Sequence, residues 1–343
     1  MRRAAAIALG LWLGASAALA QTLPSRQILD FSDLKGWAAD DHAAALNTFT
    51  NTCRDLDAPD WQALCALATK QVAPRPFFEM FFRPVLIMDG QSPLITGYFE
   101  PELLGSRTRT ARFRYPVYRM PPELKEGTLW FSRAEIENQG ILEGRGLELA
   151  WVEDTVGLFY MQVQGSGRIR LTDGSVMRLG FAGSNGHKYR SPGQELVRRG
   201  VYGIHQVSAR VIRSWVARNP LLGRELLQSS PGYVFFRKLS DMDTGDGPKG
   251  AMNRSLTAGR SLAIDPEFVP LGAPVWLEKA GAKPLRRLFV AQDTGSAIKG
   301  AQRADVFVGS GDAAGQQAAT LKDRGRLIVL LPIEMAFDGA GAF

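Results

Sequence analysis

Histidine and cysteine are both scarce in this chain, with three and two copies in 343 residues. His42, His187 and His205 form no ligand pair, and eleven residues separate Cys53 from Cys65, which is not a zinc spacing. No metal is therefore expected. Blocks of one charge sign are missing too: the formal charge is +7, falling by two to +5 if Arg2 and Arg3 are removed, but basic and acidic residues are interspersed. That excludes a dedicated nucleic-acid tail. After the N-terminus no apolar run approaches the ~20 residues of a spanning helix, so no transmembrane segment is expected. GSAIKG at 295–300 lacks the Gly-Lys-Ser/Thr ending of a phosphate loop, and QGSGR at 164–168 is not Gly-x-Ser-x-Gly, so Ser166 is no evident nucleophile. No organic cofactor is implied.

What is present begins with an export signal. MRRAAAIALGLWLGASAALA carries a charged start, a short apolar stretch and an Ala18-Leu19-Ala20 cleavage pattern, so residues 1–20 are expected to be removed, leaving Gln21 first. No cysteine stands at the cleavage point to be acylated. Export to an oxidising compartment favours a Cys53–Cys65 disulfide over two free thiols.

Residues 28–80 repeat apolar positions at helical spacing. From Val85 onward, LITGYFEPEL, YPVYRM, ELAWVED, GLFYMQVQGSGRIRL and SVMRLGFAG read as strands between turns. Helices are expected at 192–199, 206–218, 223–228 and 313–322. SLAID, APVWLEK, LFVAQD, DVFVGS and RLIVLLPIE read as closing strands.

The chemistry gathers in LFVAQDTGSAIKGAQRADVFVG, residues 288–309, where Asp293 closes one apolar run and Asp305 opens the next. Paired carboxylates at strand ends suit acid/base work on a sugar bond. Asp305 lies between Ala304 and Val306, an apolar setting that favours the protonated form a general acid needs; the bland alternative is a capping aspartate. Asp265, before Pro266, reads as a turn residue. A second Asp-Thr-Gly at 243–245 raises an aspartic protease, but it lies in a polar Gly-rich loop and only 50 residues from the first. Gln162, Gln164 and Ser166 are candidates to hydrogen-bond a glycan, and Tyr98, Phe99, Tyr160 and Tyr233 are either core or stacking residues.

TGYFEPEL (96–103), YMQVQGSGRIRL (160–171), NGHKYRSPGQELVRRG (185–200), PGYVFFR (231–237), LAIDPEFVPLGAPVW (262–276) and AQDTGSAIKGAQRADVFVGSG (291–311) together resemble the membrane-bound lytic murein transglycosylase A (MltA) family, ending in its three-aspartate (3D) domain. The resemblance implies a mainly β fold with α segments: a double-psi β-barrel built from residues 21–105 and 230–343, a smaller β-rich domain inserted at 106–229, and a substrate groove between them. It implies cleavage of the β-1,4 bond between N-acetylmuramic acid and N-acetylglucosamine with formation of a 1,6-anhydro end. Asp305 falls on the acid/base position, Asp293 on its neighbour, and Thr96, Tyr98, Gln164 and Ser166 on groove positions. The expected setting is the periplasm of a Gram-negative bacterium, as a soluble monomer after signal cleavage, with peptidoglycan strands and cell-wall remodelling proteins as partners and peripheral outer-membrane association open. A hydrolytic glycosidase of the same fold and a non-catalytic, expansin-like wall-binding protein are the alternatives.

Overall fold

The computed structural model describes residues 24–56, 58–70, 72–125, 127–240 and 246–338. The expected signal segment and the Asp-Thr-Gly at 243–245 lie outside them. The strands are β1 (Ser25–Ile28), β2 (Phe82–Met88), β3 (Leu94–Glu100), β4 (Glu102–Ser106), β5 (Tyr115–Tyr118), β6 (Glu148–Val152), β7 (Gly167–Leu171), β8 (Val176–Ser184), β9 (Val234–Leu239), β10 (Ser261–Ile264), β11 (Pro274–Lys279), β12 (Leu285–Thr294), β13 (Arg303–Ser310), β14 (Lys322–Asp323) and β15 (Gly325–Pro332).

They form two sheets. The larger runs β1-β2-β15-β11-β12-β10-β13-β3-β14, and the smaller runs β5-β6-β4-β7-β8-β9. The larger sheet nearly closes into a six-stranded barrel. β14 pairs with β3, and one residue later the chain enters β15, which pairs with β11 and β2. Closure leaves no long unpaired edge for another chain to extend. Buried Gln302 stitches the seam: its Nε2 donates to Ile87 O (2.8 Å) and Leu327 O (3.0 Å), and its Oε1 accepts from Leu327 N (2.9 Å).

Alternation along the barrel strands separates two faces. Leu262, Ile264, Ala304, Val306 and Ile95 enter the core with Phe82, Trp276 and Phe289. The N-terminal helices His42–Thr52, Pro59–Ala68 and Pro74–Phe81 cover part of this core with Phe49, Trp61, Phe77 and Phe78. Cys53 and Cys65, at the ends of the first two helices, are disulfide-bonded with Cα atoms 5.4 Å apart. The helix Gly311–Thr320 lies against β3, where Gly97 allows close approach: a Cβ there would stand 2.6 Å from Leu321 Cδ1 and 3.1 Å from Ala318 Cα. The opposite face of β3 stays uncovered by this helix.

The smaller sheet carries its own core, including Val117, Ala150, Ile169, Leu179 and Phe236. Helices between its strands build another around Phe159, Leu196, Ile212, Trp215 and Leu226. One of them corrects the strand reading of GLFYMQVQ: Thr155–Gln164 is an α-helix. Asp154 caps it by accepting from Gly157 N (2.9 Å), and Gly165 ends it at φ +76°. Its Phe, Tyr and Val residues have strand propensity, and Val156, Leu158, Phe159 and Met161 bury on several sides at once, which erases the helical stripe that periodicity would detect.

Candidate active site

Asp305 sits on β13 between two core residues, so its side chain leaves by the other face, with Phe307. Pairing register decides its neighbours. Asp305 stands opposite Thr96 of β3 and opposite Ala263 of β10, and Ala263 stands opposite Asp293 of β12. Four adjacent strands thus present the row Asp293–Ala263–Asp305–Thr96. Two strand spacings separate the aspartate backbones by ~10 Å, and a methyl group fills the gap between them. Asp293 joins this row through an irregularity: Leu262 pairs with Ala291, but Ala263 pairs with Asp293, so Gln292 is the extra residue of a bulge. Bulges re-aim side chains in this way beside active sites.

Each aspartate has a partner on β3. Thr96 Oγ1 donates to Asp305 Oδ1 (2.7 Å), and the Tyr98 hydroxyl donates to Asp293 Oδ2 (2.8 Å). The Tyr98 ring packs on Phe307 with centroids 5.4 Å apart. Asp293 Oδ1 also accepts from the amides of Ala251 and Thr294, both at 2.9 Å. Both oxygens of Asp293 are therefore engaged, whereas among the described residues no donor bonds Asp305 Oδ2.

The charge states follow. Burial pushes the Asp305 carboxyl above the ordinary aspartate value, and the Thr96 hydrogen bond and the Arg303 charge only partly offset it. Burial also raises Asp293, against three hydrogen bonds and with a small push from the Asp305 charge. Burial, followed by the Asp293 charge, holds the Tyr98 phenol well above its ordinary value, so Tyr98 is a hydrogen-bond donor. The row therefore holds one carboxyl that leans towards protonation with an oxygen unclaimed, next to a second that is clamped on both oxygens.

Asp265 stands apart from the row. It is 1 % exposed, just beyond β10, and accepts from Gly300 N (2.9 Å), Lys299 Nζ (3.0 Å) and, at 3.4 Å, Glu267 N. Burial would raise it, but these bonds outweigh burial and bring it below the ordinary value. It fastens the 299–300 turn to the end of β10. Gln164 and Ser166 flank the helix-ending Gly165, half-buried at the entry to β7. Close by, Arg168 N bonds Pro101 O (2.8 Å), where the chain passes from β3 in one sheet to β4 in the other. Gln162, by contrast, is buried and committed elsewhere: it accepts from Arg133 Nη2 (2.6 Å) and donates to Val234 O (3.2 Å), because its helix turns it into the inserted core. Tyr233 is core as well.

Sequence reasoning missed the cluster at the join of the sheets. Glu100, 1 % exposed, accepts from Arg168 Nε (2.6 Å) and Ser310 Oγ (2.7 Å) and lies 3.5 Å from Arg178 Nη2. Both arginines also donate to Asp246 O. The signal was there in principle: Arg168 and Arg178 face each other in register, and two opposed cations need an anion between them.

A nearly closed barrel, a second sheet inserted into it, and a carboxylate row on a barrel face beside their join define a two-sheet protein built around one acidic site. Family models match both parts: the MltA specific insert domain over residues 94–237 and the 3D domain over 260–331. The chain is 33 % identical to a solved MltA from Neisseria gonorrhoeae, with 93 % of this chain and 94 % of that one aligned at a TM-score of 0.81. An Escherichia coli MltA structure with bound chitohexaose aligns over 90 % of this chain and 94 % of its own, with 30 % identity and a TM-score of 0.73. The membrane-bound lytic murein transglycosylase A of Escherichia coli K12 is 38 % identical over 245 residues, 68 % of this chain and 64 % of that protein; the match thus spans under two thirds of the curated relative's length. The chain belongs to the MltA family. Among the described residues no helix is long and apolar enough to cross a membrane.

Proposed function

We propose that this protein is a peptidoglycan lytic transglycosylase, cleaving the β-1,4 bond between N-acetylmuramic acid and N-acetylglucosamine and leaving a 1,6-anhydromuramyl end. The observation that carries this reading is the asymmetry of the row: burial raises both carboxyls, but Asp305 is singly bonded with one oxygen unclaimed, whereas Asp293 is bonded on both oxygens. Asp305 starts protonated and gives its proton to the glycosidic oxygen as the bond to the anomeric carbon breaks. Hydrogen-bond donors held in the groove, or the sugar's own acetamido group, stabilise the positive charge that develops. The Asp305 carboxylate then takes the proton of the muramyl 6-hydroxyl, and that oxygen closes on the anomeric carbon. Atoms balance without water, and Asp305 ends protonated as it began. An intramolecular nucleophile of this kind can reach effective concentrations of about 10⁵ M or more, so a second base is not required. Asp293 is a supporting charge, aimed by Tyr98. Thr96, Gln164 and Ser166 line the glycan path between the barrel and the insert; since β4 and β9 pair within the smaller sheet, the insert runs from 102 to 239, wider at both ends than the expected 106–229. The chitohexaose held by the Escherichia coli relative supports a linear glycan as ligand.

The hydrolytic alternative needs Asp293 as base. Its ~10 Å backbone spacing from Asp305 would leave room for a water, but three donors already occupy its oxygens. Site of action is the periplasm, against the wall. Digestion of purified sacculi in ¹⁸O-water, read by mass spectrometry, tests the proposal: anhydro ends without label are expected, and labelled reducing ends would overturn it in favour of hydrolysis. Binding without any release would leave only a wall-binding role.

A further inference from the structure

The segment NGHKYRSPGQ, residues 185–194, has no part in the reaction above, yet it is held with unusual care. Asn185 is fully buried: Nδ2 donates to Phe131 O and Pro231 O (both 2.8 Å), and Oδ1 accepts from Tyr233 N (2.7 Å). His187 Nε2 donates to Trp130 O (2.7 Å). Gly186 turns the chain at φ +77°, and its missing Cβ would lie 2.5 Å from Thr128 O. Arg190 N is tied to Oγ of buried Ser230 (3.0 Å). These bonds make a rigid frame on which the next side chains are displayed.

Those side chains are exposed. Tyr189 is 48 % exposed and backed by the Phe159 ring, centroids 6.2 Å apart. Together with Arg190, Gln194 and Ser229 it lines a cavity of about 710 Å³ in the inserted unit. Glu195, also on its wall, is neutralised by Arg198 (2.7 Å), and Arg199 adds a second bond to it (2.7 Å). Arg190 is left as the cation without a countercharge: among the described residues no carboxylate pairs with its guanidinium. The Gln194 side chain has no partner there either. Rigid loops presenting unpaired polar groups and an aromatic platform are how binding sites are built.

We propose that this cavity is a second binding site, which takes the carboxylate-bearing peptide stem of peptidoglycan while the glycan occupies the groove. The inference rests on the lytic reading for its choice of ligand. A neutral sugar needs no free guanidinium. A peptide with a terminal or side-chain carboxylate pairs with Arg190, its planar amides meet Gln194 and Ser229, and its apolar stem lies over Tyr189.

Calorimetry on the full exported chain tests this without turnover, using three probes: a free stem tetrapeptide, a peptide-free muramyl-glucosamine strand, and chitohexaose. Binding of the tetrapeptide is expected, weakened about tenfold by Arg190→Ala and several-fold by Gln194→Ala, with chitohexaose affinity unchanged in both. The peptide-free muramyl strand keeps the lactyl carboxylate. A tenfold loss confined to that strand would assign Arg190 to the sugar's own acid and overturn the peptide assignment. So would absence of tetrapeptide binding, or equal losses for every probe. Both substituted residues are exposed, and an unchanged circular dichroism melt verifies the fold. Since binding is read apart from catalysis, a failure here leaves the anhydro-product test standing, and the reverse also holds.

Discussion

Asp265 and Asp305 lie about one strand apart on the same barrel and are held in opposite ways. Asp265, 1 % exposed, is pulled below its ordinary pKa, while half-buried Asp305 is pushed above it. Burial pushes both carboxyls up, so the solvent exposure of the residue alone does not set the charge state. What differs is the balance against burial: at Asp265 two amides and an ammonium outweigh it, whereas at Asp305 one hydroxyl and the Arg303 charge do not. The first is a carboxylate kept ionised to hold a turn, the second a carboxyl left able to hold a proton.

The largest effect that would sharpen this contrast is Asp305→Asn. Activity on sacculi is expected to fall by at least about 10³-fold, since one group supplies both proton transfers. The same substitution should leave the melting temperature at pH 7 unchanged or higher, because it removes a charge that the site disfavours. A variant retaining wild-type release would end the acid/base assignment.

Loss of the Cys53–Cys65 bridge comes next in size. Replacing both with Ser should cost roughly 3 kcal/mol for so short a loop, seen as a lower urea midpoint, with product chemistry unaltered because the bridge ties helices on the core side of the barrel.

Asp265→Asn should behave as the opposite of Asp305→Asn: stability falls by about 1–2 kcal/mol, mainly from the Gly300 amide. The Lys299 ion pair adds little, since that side chain is 57 % exposed and screened. Linkage gives the signs. With a folded-state value below the ordinary 3.8, Asp265 contributes its stability above that pH and loses it as pH falls through the folded value. For Asp305 the folded value is above 3.8, so a penalty sets in as pH rises from there through the folded value. Melting curves from pH 3 to 7 on the two Asn variants should therefore both separate from wild type as pH rises, in opposite directions: Asp265→Asn falls below it and Asp305→Asn rises above it. Parallel curves would break the comparison.

The smallest change is expected for Thr96→Val. Removing the hydroxyl takes away the bond that favours the ionised form, so the alkaline limb of the pH–rate profile should move to higher pH. Movement to lower pH would show that Thr96 supports the neutral acid instead.

The contrast was only half visible beforehand. Asp265 before Pro266 carries its turn role in its neighbours, and the Ala304-Asp305-Val306 sequence shows a carboxyl in an apolar strand. Thr96 and Tyr98 could be placed near the site only through the family resemblance, because nothing within residues 94–100 marks which aspartate each would meet. Residues 155–164 carry an Asp154 cap and a Gly165 stop yet resemble a strand in sequence, since propensity and burial on several sides hide the helical period.

Local chemistry was enough to specify alternating strands, helix ends punctuated by Pro and Gly, a cysteine pair able to bridge, and two aspartates suited to acid/base work. It could not specify the order β12-β10-β13-β3, the extra residue at Gln292, or the shared row of residues 293, 263, 305 and 96. Those depend on register between strands up to 209 residues apart in the chain, and register is settled by which faces the whole barrel can bury together rather than by any one strand's composition.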